Sequence, residues 1–150
     1  MPAIGREAYA AMVKLFVAVT DQSWFDFLSA SAPHDEVNFW APSGHHQFHA
    51  VGPGELFLFK LHSPNDFIAG GGVFGHASNV PLSLAWDAFG RKNGVETLDA
   101  MRTRIAHYRR DRSVLTGRED PVVGCRILTQ PFFWPGIAES ECHRDCPGAP

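Results

Sequence analysis

Glu36-Val-Asn-Phe-Trp-Ala-Pro-Ser43, then Gly54-Glu-Leu-Phe-Leu-Phe-Lys-Leu-His-Ser-Pro64, then Gly70-Gly-Gly-Val-Phe74 is the stretch that decides the fold. Three short apolar runs are each bounded by turn residues: Pro42-Ser-Gly44, Ser63-Pro-Asn65 and Gly70-Gly-Gly72. Short β-rich runs punctuated in this way describe a tightly curved antiparallel sheet. The runs also carry groups a plain core does not need: Asn38, Lys60, His62 and the indole of Trp40. A curved sheet with amides and aromatic rings at its strand ends can hold a flat ligand.

Outward from that centre, residues 12–19 read as a buried first strand, and Thr20-Asp21 offers a cap for a helix over 22–31 with Trp24, Phe25 and Leu28 on one side. Strands are expected at 36–40, 56–62, 67–74 and 122–129. Pro81 opens a short helix to Phe89, stopped by Asn93-Gly94. A longer helix over 97–110 carries Leu98, Met101, Ile105 and Tyr108 on one stripe and arginines on its other faces. The order β-α-β-β-β, two helices, then β suits an α+β domain with an open, strongly curved antiparallel barrel and flanking helices, and not an alternating parallel fold. Residues 1–135 form the domain, and 136–150 is expected to be a loosely attached tail.

The chain has 150 residues, enough for one domain. Its 12 phenylalanines and 4 tryptophans are too many for surface positions, so most are expected in the core. No apolar run approaches the roughly 18 to 20 residues that span a bilayer, and the N-terminus lacks a signal-peptide core, so a cytosolic protein is expected. Cys125, Cys142 and Cys146 make an odd set, which argues against a secreted disulfide framework. The formal charge of −3 is unevenly spread: residues 1–90 carry net −5 and residues 91–126 net +4. A basic segment about one helix long therefore sits within an acidic chain.

His45-His46-x-x-His49 and Cys142-His143-x-x-Cys146 offer metal donors, but a zinc site needs about four and neither stretch has a second half, so no metal is expected. Gly70-Gly-Gly72 lacks the Gly-Lys-Ser/Thr ending of a phosphate loop and reads as a kinked barrel strand. Ser43, Ser63 and Ser83 lack a nucleophile-elbow setting, Cys125 sits inside a strand, and no carboxylate pair stands out. No catalytic residue and no cofactor are assigned.

The ordered set Val37-Asn-Phe-Trp-x-Pro-Ser43, Gly54-Glu-Leu-Phe-Leu-Phe-Lys-Leu-His-x-Pro64, Ile68-Ala-Gly-Gly-Gly-x-Phe74, Pro81-Leu-Ser-Leu-Ala-Trp-x-x-Phe-Gly90, Asn93-Gly94 and Gln130-Pro-Phe-Phe-x-Pro135 resembles the N-terminal region of bacterial HNH endonucleases of the modification-dependent restriction type. That region is similar to the PUA-like superfamily, which includes EVE, ASCH and YTH domains and the SRA-type readers of modified DNA. The resemblance covers roughly residues 12 to 135, and its members usually continue into an HNH nuclease domain that this chain does not show. It implies recognition of a modified base in DNA, a modified cytosine flipped from the stack, with cleavage assigned elsewhere. Flipping costs a few kcal/mol, which stacking and edge hydrogen bonds offset. On this reading Phe39 or Trp40 stacks, Asn38 and Gln130 read the base edge, and Ser43 reaches the edge or a phosphate, with Phe74 nearby. Lys60, also placed at the pocket, holds phosphates together with Arg102, Arg109 and Arg110. Two other readings stand beside it: an RNA-binding PUA/ASCH-type module, and a small ASCH-like amidohydrolase using Lys60 and Glu55.

Overall fold

The computed structural model describes residues 13–134. Five strands form one sheet, β1 (Leu15–Thr20), β2 (Glu36–Asn38), β3 (Leu56–Leu61), β4 (Ile68–Pro81) and β5 (Val122–Phe133), in the order β1-β3-β4-β5-β2. Three helices, α1 (Gln22–Ala30), α2 (Leu82–Phe89) and α3 (Leu98–Arg109), accompany them, with 3₁₀ turns at Gly90–Asn93 and Arg112–Thr116. The domain is thus α+β with an open sheet. The expected tail at 136–150 lies outside the described residues.

Several strand expectations need correction, among them the strand expected at 122–129, which runs on to Phe133, and the one expected at 36–40, which ends at Asn38. The sheet is mixed rather than antiparallel, because β1 runs parallel to β3 in the register Leu15 to Leu56 through Thr20 to Leu61. A parallel neighbour needs a long crossover, which α1, β2 and the 41–54 loop supply together. The strand expected to end at residue 74 continues to Pro81, pairing with β5 from Gly70 against Phe133 to Pro81 against Val122. The poor strand formers Gly75-His76-Ala77-Ser78-Asn79 are carried by this long partner, where local preference yields to pairing. Two register shifts, between Gly71 and Val73 and between Phe74 and His76, bend the pair.

The glycine tract exists for close approach. A Cβ on Gly70 would lie 2.2 Å from the Phe132 carbonyl oxygen and 2.7 Å from the Phe59 ring. One on Gly71 would lie 2.7 Å from the Phe57 carbonyl oxygen. The close neighbour at these two positions is protein backbone.

The bend wraps the inner face around an aromatic core. Phe57 and Phe59 are fully buried on β3. Phe57 meets Phe39 at 5.0 Å between ring centroids and Phe16 at 5.2 Å, and Phe59 meets Trp24 at 5.2 Å and Phe133 at 5.6 Å. Offset and edge-to-face contacts of this kind add to the area buried. A second cluster packs Leu82 and Ala85 of α2 and Met101 and Ile105 of α3 against Val123, Cys125 and Ile127 of β5. Thr97 caps α3 by accepting from Ala100 N at 3.1 Å. Asp21 stands at the N-cap of α1, but its side chain makes no cap hydrogen bond.

Phe59→Ala should lower the unfolding free energy by about 3–5 kcal/mol, from lost transfer energy and the cavity left behind, read as a lower urea midpoint. Gly70→Ala should destabilise as well although it only adds a methyl group, since the atom it meets is backbone.

Candidate functional site

Where β2 ends, the chain keeps hold of β5 for three more residues. Phe39 N donates to Arg126 O at 2.9 Å, and Ala41 and Gly124 exchange backbone bonds at 2.7 and 3.0 Å. This fixes Phe39, Trp40 and Pro42 on the rim of the sheet. The β1–α1 junction brings Val19, Thr20, Asp21 and Trp24 to the same place, the end of β3 brings His62, and the last turn of α3 brings Tyr108. Together these nine residues line a cavity of about 190 Å³.

Its walls are aromatic. Trp24 meets Phe39 edge-to-face at 5.2 Å, and Trp40 meets Tyr108 at 6.4 Å. Trp24 and Phe39 are buried and form the back wall, whereas Tyr108 is 44% exposed and stands at the mouth. One acidic group sits among the rings: the Asp21 carboxylate accepts a hydrogen bond from the Tyr108 hydroxyl and lies 3.7 Å from His62 Nε2. The carboxylate that was expected to cap α1 is therefore turned into the cavity. The cavity thus offers aromatic surface and one hydrogen-bond acceptor.

Two buried amides set the tryptophans. Asn38 Nδ2 donates to Asn93 Oδ1 at 2.9 Å and to Cys125 Sγ at 3.3 Å, and its Oδ1 accepts from Arg126 N at 3.1 Å. Asn93 Nδ2 donates to the carbonyls of Ala85 and Gly90 at 3.2 and 2.8 Å. The Asn93 backbone oxygen accepts from Trp40 Nε1 at 2.9 Å. The next residue, Gly94, has φ +76°, and a Cβ there would stand 2.2 Å from the Trp24 indole. The Asn93-Gly94 pair, expected only to stop a helix, thus abuts both tryptophans of the cavity. Burial pushes the Cys125 thiol up, so it stays protonated.

Of the residues expected to form a pocket, Phe39 and Trp40 line the cavity and the others do not. Asn38 is completely buried with its hydrogen-bonding groups engaged inside the fold. Phe74 is core, packed on Phe48 at 5.4 Å. Lys60 pairs with Asp66 at 3.3 Å. Gln130, at φ +48°, is exposed and holds Asp35 O through its backbone N–H at 3.1 Å. Ser43 is exposed next to the rim residue Pro42, its Oγ accepting from His45 N at 3.4 Å. Glu55 accepts from Gly52 N at 2.6 Å and so closes a turn. Reading strands one by one, the sequence could not show that Asp21 and Trp24 from the β1–α1 junction, His62 from the end of β3 and Tyr108 from α3 would converge.

Among the arginines, Arg109 Nη1 donates to Pro42 O at 3.5 Å on the cavity rim. Arg102 bonds Asp99 at 3.4 Å, and Arg110 is exposed in the left-handed C-cap of α3 at φ +53°. An arginine outside the expected set, Arg104, lies in a shallow groove adjoining the cavity. That groove is also lined by Gln22, Ser23, Thr103 and His107, and it shares Asp21 and Tyr108 with the cavity. Arg104 Nη1 is buried without a hydrogen-bond partner among the described residues.

Among the described residues no three His, Cys, Asp or Glu side chains come together as a metal site, and the Cys142/Cys146 motif lies outside them. No described helix is long and apolar enough to cross a membrane. Comparison with protein-family models, curated proteins and solved structures yields no match for this chain.

Asn93→Ala should strand the amide of Asn38 and cost about 1–3 kcal/mol for each buried group left unpaired. The loosened indole of Trp40 should shift its fluorescence toward the red. Acid should weaken the same corner. Lys92 bonds Asp35 at 2.8 Å and Glu36 at 3.5 Å, and this holds the Asp35 carboxyl below the ordinary value of 3.8 and raises Lys92 above 10.5. The Asp35 contribution is therefore complete above 3.8 and is lost as pH falls through its lower folded value. The Lys92 contribution is complete below 10.5 and is lost as pH rises through its raised folded value. Lys92→Met should flatten both limbs of urea midpoint against pH, leaving on the acid side the part that comes from Asp111, lowered by Ser113.

Proposed function

We propose that this domain reads a modified base in DNA, a modified cytosine taken out of the stack and received by the cavity that Trp40 and Tyr108 help to line. The observation that carries the reading is the cavity itself: aromatic walls, one carboxylate, and a volume of about 190 Å³. Sites for drug-sized ligands run to about 300–1,000 Å³, so this one suits a single heterocycle. Stacking on such walls offsets the few kcal/mol spent on unstacking, at about 1–3 kcal/mol per base. The Asp21 carboxylate supports a base that presents an amino group, because acidic side chains accept from the cytosine N4 amine. The sequence resemblance to the N-terminal regions of HNH endonucleases points the same way, and in longer relatives this module would target the nuclease.

In this proposal Arg109 at the rim and Arg104 in the adjoining groove take the flanking phosphates, with Arg110 and Arg102 farther out. Phosphate contacts position the nucleic acid and leave discrimination to the cavity. The net +4 of residues 91–126 gathers the basic charge that an acidic chain otherwise lacks.

Trp40→Ala should weaken binding to a duplex bearing the modified cytosine by about 10-fold to 100-fold and abolish preference over plain DNA, with the circular dichroism spectrum retained. Equal affinity of wild-type protein for modified and plain duplexes at every salt concentration would end this reading. Tighter binding to the matching RNA would transfer it to RNA, where the 2′-hydroxyl discriminates. Arg109→Ala with Arg110→Ala should weaken both duplexes alike and reduce the slope of log affinity against log salt by up to about two, since each neutralised phosphate adds about −0.9. An unchanged slope would remove these arginines from the interface.

A further inference from the structure

We propose that β1 pairs with β1 of a second copy, joining two sheets into one. The strand is an edge: among the described residues its only backbone partner is β3, and the hydrogen bonds outside regular elements include none from residues 15–20. Edge strands are normally protected by charges, proline or bulges. β1 has none of these, since Leu15-Phe-Val-Ala-Val-Thr20 is uncharged and its register with β3 is unbroken. The opposite edge, β2, is only three residues long. On its outer face β1 exposes Leu15 at 52%, Val17 at 39% and Val19 at 52%. Leu56 and Leu58 extend that apolar surface on β3, in register with Leu15 and Val17.

The strand is complementary to itself in one orientation. For two sheets to continue with their outer faces on the same side, opposed residues must share parity. A two-fold axis through Val17 meets this: Val17 faces Val17 of the second copy, and Leu15 faces its Val19. The strand is flanked by Lys14 before it and Asp21 after it. Antiparallel pairing brings each copy's Lys14 to the other's Asp21 end, making two opposite-charge meetings. Parallel pairing would put like charges together, and like charges across a ladder are destabilising. Such a two-fold pairing closes after two copies. Because Val19, Thr20 and Asp21 also line the cavity, Lys14 of the second copy would stand at its rim. The inference does not depend on what the cavity binds.

Sedimentation equilibrium of the 150-residue chain should give a dimer at micromolar to sub-millimolar concentration. Val17→Lys, which opposes two ammonium groups on the axis, should raise the dissociation constant at least about tenfold with unchanged circular dichroism. Should that variant not fold, Val17→Cys reads the same contact, with Cys142 and Cys146 replaced by Ser and the buried Cys125 kept. Under mild oxidation Val17→Cys should form a covalent dimer, and Leu15→Cys, which faces position 19, should not. A chain that stays monomeric over this range overturns the proposal. A dimer that forms no Val17→Cys crosslink, or that crosslinks equally through Leu15→Cys, overturns it too, because the contact would then lie on another face or in another register.

Discussion

The Asn38–Asn93 hydrogen bond is the contact on which the rest of the structure turns. It joins the last residue of β2 to the 3₁₀ turn after α2, two places far apart in the chain and both completely buried. In a low-dielectric interior a partly satisfied amide pair would cost more than an apolar contact. Here every group is engaged, by Cys125 and Arg126 on β5, by the carbonyls of Ala85 and Gly90, and by one another. The pair fixes how β2 lies on β5 relative to the helical side, and therefore where Phe39 and Trp40 emerge.

The same turn ties stability to the cavity. Trp40 is held through its indole N–H by a backbone oxygen, and Trp24 rests where Gly94 has no side chain. Two aromatic walls are set by one short segment, and Lys92, its immediate neighbour, clamps that segment to Asp35 and Glu36 at the start of β2. A cavity built from packed rings and anchored backbone is held in shape by the fold itself.

Charge is arranged around this frame with little waste. Lys60, Lys92 and Arg102 are engaged by nearby carboxylates, and Arg126 lies over the Phe48 ring at 4.5 Å from its centroid. Arg104 and Arg109 instead stand next to the cavity, one without a hydrogen-bond partner at Nη1 and the other on a single long bond to a carbonyl.

The sequence by itself determined where elements begin: among the described residues the five strands and three helices start close to where apolar periodicity and turn residues put them, because those signals are local. It also singled out Phe39 and Trp40 at a strand end, and both line the cavity. Only the tertiary structure decided that β1 runs parallel to β3 and that β4 continues through Gly75-His76-Ala77-Ser78-Asn79, since both depend on a partner strand distant in the chain. It alone turned Asn38 inward and Asp21 away from its helix cap, because a polar side chain goes where its partners are, and Asn93 and Tyr108 are 55 and 87 residues away. The same physical reason separates strand residues such as Lys60 and Gln130 from the cavity and brings Trp24, His62 and Tyr108 into it. Direction along a strand is written locally, whereas convergence in space is a property of the packed whole.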